Sequence, residues 1–120
     1  VLPGGEKGGT VQGSNASSYE YNVAKALYKL DIPFVFQYEV INRRVRGGQV
    51  VDFLALTRPL ATPIEVNGDY WHRNSDEEYR QTIEINNALR GQANELLIMW
   101  GKDSATYGDA LSFLRAHLSI

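Results

Sequence analysis

The sequence predicts an α/β domain, a three-layer sandwich with helices on both faces of a mixed sheet, in the order α-β-β-β-α-β-α. Three observations predict it. Apolar residues recur at helical spacing over residues 19–30 and 110–118, the period switches to two over residues 34–56, and the apolar run ELLIMW follows a second helical stretch. A hairpin supplies the antiparallel part of such a sheet, and a strand reached through a helix supplies the parallel part. With 120 residues, 43% hydrophobic and 22% charged, the chain can bury one core and has no room for two catalytic domains.

Each element has its own signal. Gly4, Gly5, Gly8, Gly9 and Gly13 mark residues 1–14 as a flexible tail or linker ahead of a domain over residues 15–120. Tyr19, Val23, Ala26, Leu27 and Leu30 then form the stripe of an amphipathic helix, which Ser17-x-x-Glu20 can cap. After Pro33, Phe34, Phe36, Tyr38 and Val40 alternate with Val35, Gln37, Glu39 and Ile41, the pattern of a strand. Residues 42–48 (NRRVRGG) read as a basic turn, residues 49–56 as the return strand, and residues 64–67 (IEVN) as a short third strand. Ser75-x-x-Glu78 opens a second helix with Tyr79, Thr82, Ile83, Asn86 and Leu89 as its mixed stripe, ending at Gly91. The run of residues 95–100 suits a strand covered on both faces, and Ala110, Leu111, Phe113, Leu114 and Leu118 give a closing helix.

Composition removes several classes of function. The absence of cysteine excludes a disulfide scaffold and thiolate metal sites. A net charge of −2 and a pI near 5.6 argue against a bulk polycation that coats DNA, so any nucleic-acid contact must be local. No stretch approaches the roughly 18–20 apolar residues of a membrane span. Residues 1–13 lack the apolar segment of a secretory signal.

Alternation places Asp52, Leu54 and Leu56 on one face of the second strand, and Glu65 and Asn67 on one face of the third. Two carboxylates from adjacent strands can then converge, and with the Val66 carbonyl they offer the oxygen ligands that Mg²⁺ takes. The same residues also suit solvated strand-end caps, the commoner outcome for such a pattern. Just past the third strand, Tyr70, Trp71 and His72 bring two large aromatics and an imidazole whose ordinary pKa of about 6.5 suits proton transfer at neutral pH. A surface-loop histidine and core-anchoring aromatics are the alternatives. Asp76, Glu77 and Glu78 complement a helix N-terminus, and Glu20 equally suits the capping-box partner of Ser17.

These residues resemble a family. The run VVDFLAL, the strand IEVNG, the YWHRN segment, Asp76 and Arg80 on a helix, and the LLIMW strand are similar to the very-short-patch-repair-like endonucleases of the PD-(D/E)xK superfamily, from about Glu20 to the C-terminus. Glu20, Asp52, His72 and Asp76 resemble the pattern that names the EDxHD homing endonucleases, commonly phage-borne. The resemblance implies a restriction-endonuclease-like core, Mg²⁺-dependent hydrolysis of DNA phosphodiesters with Mn²⁺ as a substitute, and a cytoplasmic setting in a bacterium or phage-infected host. Asp52 and Glu65 would hold the metal, His72 would be the general base or its close partner, Asp76 would orient it, and Glu20 would hold a metal-bound water. Tyr70 and Trp71 would wedge between base pairs, and Gln37 would lie on a strand near the active-site face with its role open.

Two departures from the family pattern stand out. Asn67 occupies the place of the superfamily lysine, which shifts the burden of activating water to His72. The zinc-site cysteines of the mismatch-repair relatives are absent, and Glu65 replaces their metal-site threonine, which argues against T·G mismatch repair. Arg43, Arg44 and Arg46 on the basic turn, with Arg73 and Lys102, would give a local positive surface for phosphates, or simply a solvated turn. The expectation is an endonuclease acting on double-stranded DNA, with an appended domain or a homodimer needed to read a long site. Structure-specific nicking of junctions or mismatches, and a nuclease-like fold that binds nucleic acid without cutting, are the alternatives.

Overall fold

The computed structural model describes residues 9–41, 48–67 and 75–118. In chain order these form β1 (Gly9–Val11), β2 (Ser14–Ala16), α1 (Ser18–Lys29), β3 (Phe34–Ile41), β4 (Gln49–Ala55), β5 (Thr62–Asn67), α2 (Ser75–Ala88), β6 (Leu97–Trp100), α3 (Gly101–Ser104) and α4 (Tyr107–His117). The predicted α/β character and mixed sheet are present. Four strands run in the order β3-β4-β5-β6, antiparallel except for the parallel pair β5 and β6, which α2 connects.

The start of the chain departs from expectation. Residues 9–14 do not form part of a tail, because β1 and β2 pair as a hairpin whose two-residue turn, Gln12-Gly13, has both φ angles positive at 50° and 84°. Such a turn matches the twist of the strands it joins, and glycine adopts its second position without steric cost. Val11 and Ala16 are buried in the main core. Gln12 also closes an edge of the large sheet: its side-chain amide donates to the Phe34 carbonyl (2.7 Å) and accepts from the Phe36 amide (2.9 Å), as a neighbouring strand would.

Helix α1 begins where the sequence placed its cap. Ser17 Oγ accepts from the Glu20 amide (3.1 Å), and Glu20 Oε1 accepts from the Ser17 amide (2.8 Å), a complete capping box. Its inner face carries Tyr21, Val23, Ala24, Ala26 and Leu27. They pack with Phe34, Phe36, Phe53, Ala55, Ile64, Met99, Ala110 and Leu114 in the larger core. Asn22 adds a polar tie to the far end of the chain, donating to the carbonyls of Ser104 (2.9 Å) and Ala105 (3.2 Å).

A smaller core joins Val51 to Ile85 and Leu89, with Tyr38, Val40, Ala93 and Leu96 packed around them. Two corrections follow from it. Helix α2 buries Ile85, with Leu89 just past its end, while Tyr79 and Ile83 are exposed at 70% and 41%; a mixed stripe leaves helix rotation to the packing. Strand β6 lies at the sheet edge and only its Met99 is fully buried, so the ELLIMW run is not covered on both faces along its length. Its apolar residues are divided between the two cores, Leu97 and Met99 to the larger and Leu96 to the smaller.

The β3–β4 hairpin does not keep one alternation throughout. Phe36 and Phe53 belong to the larger core, yet Tyr38, two residues after Phe36, and Val51, two residues before Phe53, pack in the smaller one. Strict period-two geometry would leave each pair of same-strand residues on one face. The ladder pairs Phe36 with Phe53 and Tyr38 with Val51 but passes over Gln37 and Asp52, and Gln37 has φ +56°. The hairpin therefore passes from the larger core to the smaller one at the level of Asp52, and its register shifts further on, between Glu39 and Ile41.

Candidate functional site

Asp52 lies where two ladders stop. Pairing of β4 with β5 runs Ala55–Thr62, Leu54–Pro63 and Phe53–Ile64 and goes no further, so the next backbone groups of β5 are not taken up by β4. The Asp52 side chain fills part of this gap, its Oδ2 accepting from the Val66 amide at 2.7 Å. A strand residue directs its N–H and C=O to the same edge. By that geometry the Val66 carbonyl would share the edge on which its N–H meets Asp52.

Glu20 reaches this point from the first turn of α1. Burial pushes its carboxyl above the ordinary value of 4.5, and Asp52 beside it adds to the rise by like charge and by a shared hydrogen bond; bonds from Ser17 offset part of the shift. The two readings of Glu20 thus coexist in one side chain. The capping box fixes its rotamer through Ser17, and that rotamer carries the carboxyl to Asp52.

Glu65 sits next to Val66 on β5, and continuation of the β4–β5 register would bring it opposite Asp52. It is half-buried, with Oε2 withdrawn from solvent. Among the described residues, no three histidine, aspartate or glutamate groups stand close enough together to hold a metal ion. Glu20 and Asp52 are brought together as a pair, and Glu65 does not join them as a third member. The oxygen donors that fit a hard divalent cation are then the Glu20 carboxyl, Asp52 Oδ1 and the Val66 carbonyl, a partial set of the kind Mg²⁺ completes with water and phosphate.

Other expected site residues are placed less fully. Arg43, Arg44 and Arg46, and the segment of Tyr70, Trp71, His72 and Arg73, lie outside the described residues, and so does the side chain of Asp76, whose backbone is in the first turn of α2. The two segments connect elements of the site, residues 42–47 joining β3 to β4 and residues 68–74 following β5. Lys102 is exposed on α3. Sequence reasoning missed the hold of Asp52 on Val66 and the special backbone of Gln37. Neither leaves a mark in residue spacing, because one is a side chain standing in for a ladder bond and the other a left-handed residue that is not glycine.

Compared with known proteins, the chain matches no family model, no curated protein and no solved structure. No helix among the described residues is long and apolar enough to cross a membrane.

Proposed function

We propose that this chain is a divalent-cation-dependent DNA endonuclease domain with a three-layer α/β/α core, hydrolysing phosphodiester bonds at the Glu20–Asp52 pair. The observation that carries the proposal is the meeting of these two carboxyls, one from a helix start and one from the gap between two strands. Two carboxyls this close oppose each other's ionisation, and a cation between them removes the opposition. Glu20, Asp52 and the Val66 carbonyl would hold Mg²⁺, with Glu65 next to them on β5. The bound ion would supply Lewis-acid activation of the phosphate and lower the pKa of water. Asp52 is fixed by Val66 and Glu20 by Ser17, so the chain orients both carboxyls before substrate arrives. His72 is the proposed proton acceptor, since Asn67 cannot take that part, and Asp76 its orienting partner. Arg43, Arg44, Arg46 and Arg73 would position the phosphates, with Tyr70 and Trp71 against the bases.

Digestion of supercoiled plasmid with Mg²⁺ and with EDTA tests the reading, using Asp52→Asn as the variant. Asparagine retains an oxygen to accept from Val66, so folding should survive, whereas alanine would leave that amide without its acceptor. Cleavage should require the metal and fall by roughly 10²- to 10³-fold in Asp52→Asn. Cutting in EDTA, or full activity in the folded variant, would overturn the proposal. Asn67, standing where the resembled superfamily has its lysine, favours as second reading a domain that binds DNA without cutting it. Retention of a labelled duplex by a chain that leaves every plasmid intact would select that reading.

A further inference from the structure

We propose that the side-chain amide of Gln37 is a substrate-positioning group, donating a hydrogen bond to a phosphate oxygen of the strand held at the Glu20–Asp52 pair. The proposal rests on the nuclease reading and deepens it. Gln37 is bracketed by the pairs Phe36–Phe53 and Tyr38–Val51, which puts it across the hairpin from Asp52, at the position the ladder passes over. Its φ of +56° is the left-handed conformation, in which the Cβ of an L residue crowds the following carbonyl. Glycine adopts it freely, and asparagine and aspartate are helped there by short side chains that bond locally; glutamine has neither advantage. The hairpin passes from the larger core to the smaller one at this point, and glycine would adopt this backbone with less strain.

What glutamine adds is an exposed amide. Among the described residues it has no hydrogen-bond partner, so the fold itself makes no use of it. Strained residues of this kind concentrate where a side chain must be presented at a fixed point. The chemistry suits a phosphodiester: the amide nitrogen offers two donors to an anionic oxygen without adding charge beside two carboxyls. A lysine or arginine at the same point would compete with the cation for those carboxyls.

Steady-state cleavage of plasmid by the parent chain, Gln37→Gly and Gln37→Glu, with thermal melts of all three, tests this. Gln37→Gly should melt at the same temperature as the parent or higher, yet lose about tenfold or more in kcat/KM, the equivalent of one hydrogen bond to a charged group. Gln37→Glu, of the same shape but repelling phosphate, should raise KM further. A purely structural role would move the melting temperature and leave KM alone. Should Gln37→Gly fail to fold, Gln37→Asn, compatible with positive φ but one methylene short, carries the same comparison. Unchanged kcat and KM in a folded Gly or Asn variant would overturn the role of Gln37 while leaving the nuclease reading in place. A parent chain that neither cuts plasmid in Mg²⁺ nor binds a fluorescein-labelled duplex in Ca²⁺ would overturn that reading, and the role of Gln37 with it.

Discussion

Glu20 shows how one side chain can serve the fold and the site together. As the third residue of α1 it completes the capping box with Ser17, and the same rotamer leaves its carboxyl partly buried against Asp52. The raised pKa sets a sign. Folding favours the protonated carboxyl, so its contribution is fully present below the unfolded value near 4.5 and is lost as pH rises through the higher folded value. Glu20→Gln keeps the capping oxygen, removes the charge and can donate to Asp52. In EDTA at neutral pH it should melt at a higher temperature than the parent, and the difference should close as pH falls below 4.5. Thermal unfolding across that range checks it, and equal melting temperatures at neutral pH would show that the pair carries no ionisation penalty.

Among the elements, the hairpins divide between what spacing reveals and what it conceals. The period-two run after Pro33 gave β3 and β4 with their antiparallel pairing, since alternation and a turn suffice to specify a hairpin. The β1–β2 hairpin was hidden because its strands are three residues long and flanked by glycines, the composition of a linker. Its function in the fold is carried by Gln12, whose amide completes the outer edge of β3 at Phe34 and Phe36. Gln12→Ala should therefore cost about 1–3 kcal/mol, the range for leaving partly buried backbone groups without their bonds. Urea unfolding measures the loss, and amide exchange at Phe36 should quicken in the variant. Retained stability with unaltered exchange would mean that water replaces the glutamine at no cost.

For the whole molecule, the two cores and the mixed sheet they share bring the proposed site together. The larger core fixes α1 against the sheet and so sets the height of Glu20; the smaller core pulls the outer part of the hairpin toward α2, and the two meet at the level of Asp52. Carboxyls held together by such packing should make Mg²⁺ a stabilising ligand. Linkage gives about 2.7 kcal/mol when free metal is a hundredfold above its Kd. The melting temperature of the parent should rise with Mg²⁺ at neutral pH, and the rise should shrink in Asp52→Asn. Calorimetry or a dye-based melt reads it. A response to Mg²⁺ that survives Asp52→Asn would place the ion elsewhere.

By itself the sequence determined seven of the elements and much of their pairing, though not β1, β2 or α3. Helical periodicity located α1 and α4, Ser17 and Glu20 marked the start of α1, alternation gave the hairpin, and a strand-length apolar run after a helix gave the parallel partner of β5. Such signals are local, set by backbone geometry repeating every two or 3.6 residues. Candidate carboxylates were legible for the same reason: Asp52 and Glu65 stand on predicted strands at positions alternation can assign. Only the tertiary structure decided that Asp52 meets Glu20 without a three-carboxylate cluster among the described residues, that α2 turns Ile85 inward instead of Ile83, and that the hairpin passes from one core to the other at Gln37. Each of these depends on how far a helix rotates or a sheet coils when two cores are filled at once, a quantity fixed by packing between residues distant in the chain and carried by no single stretch of it.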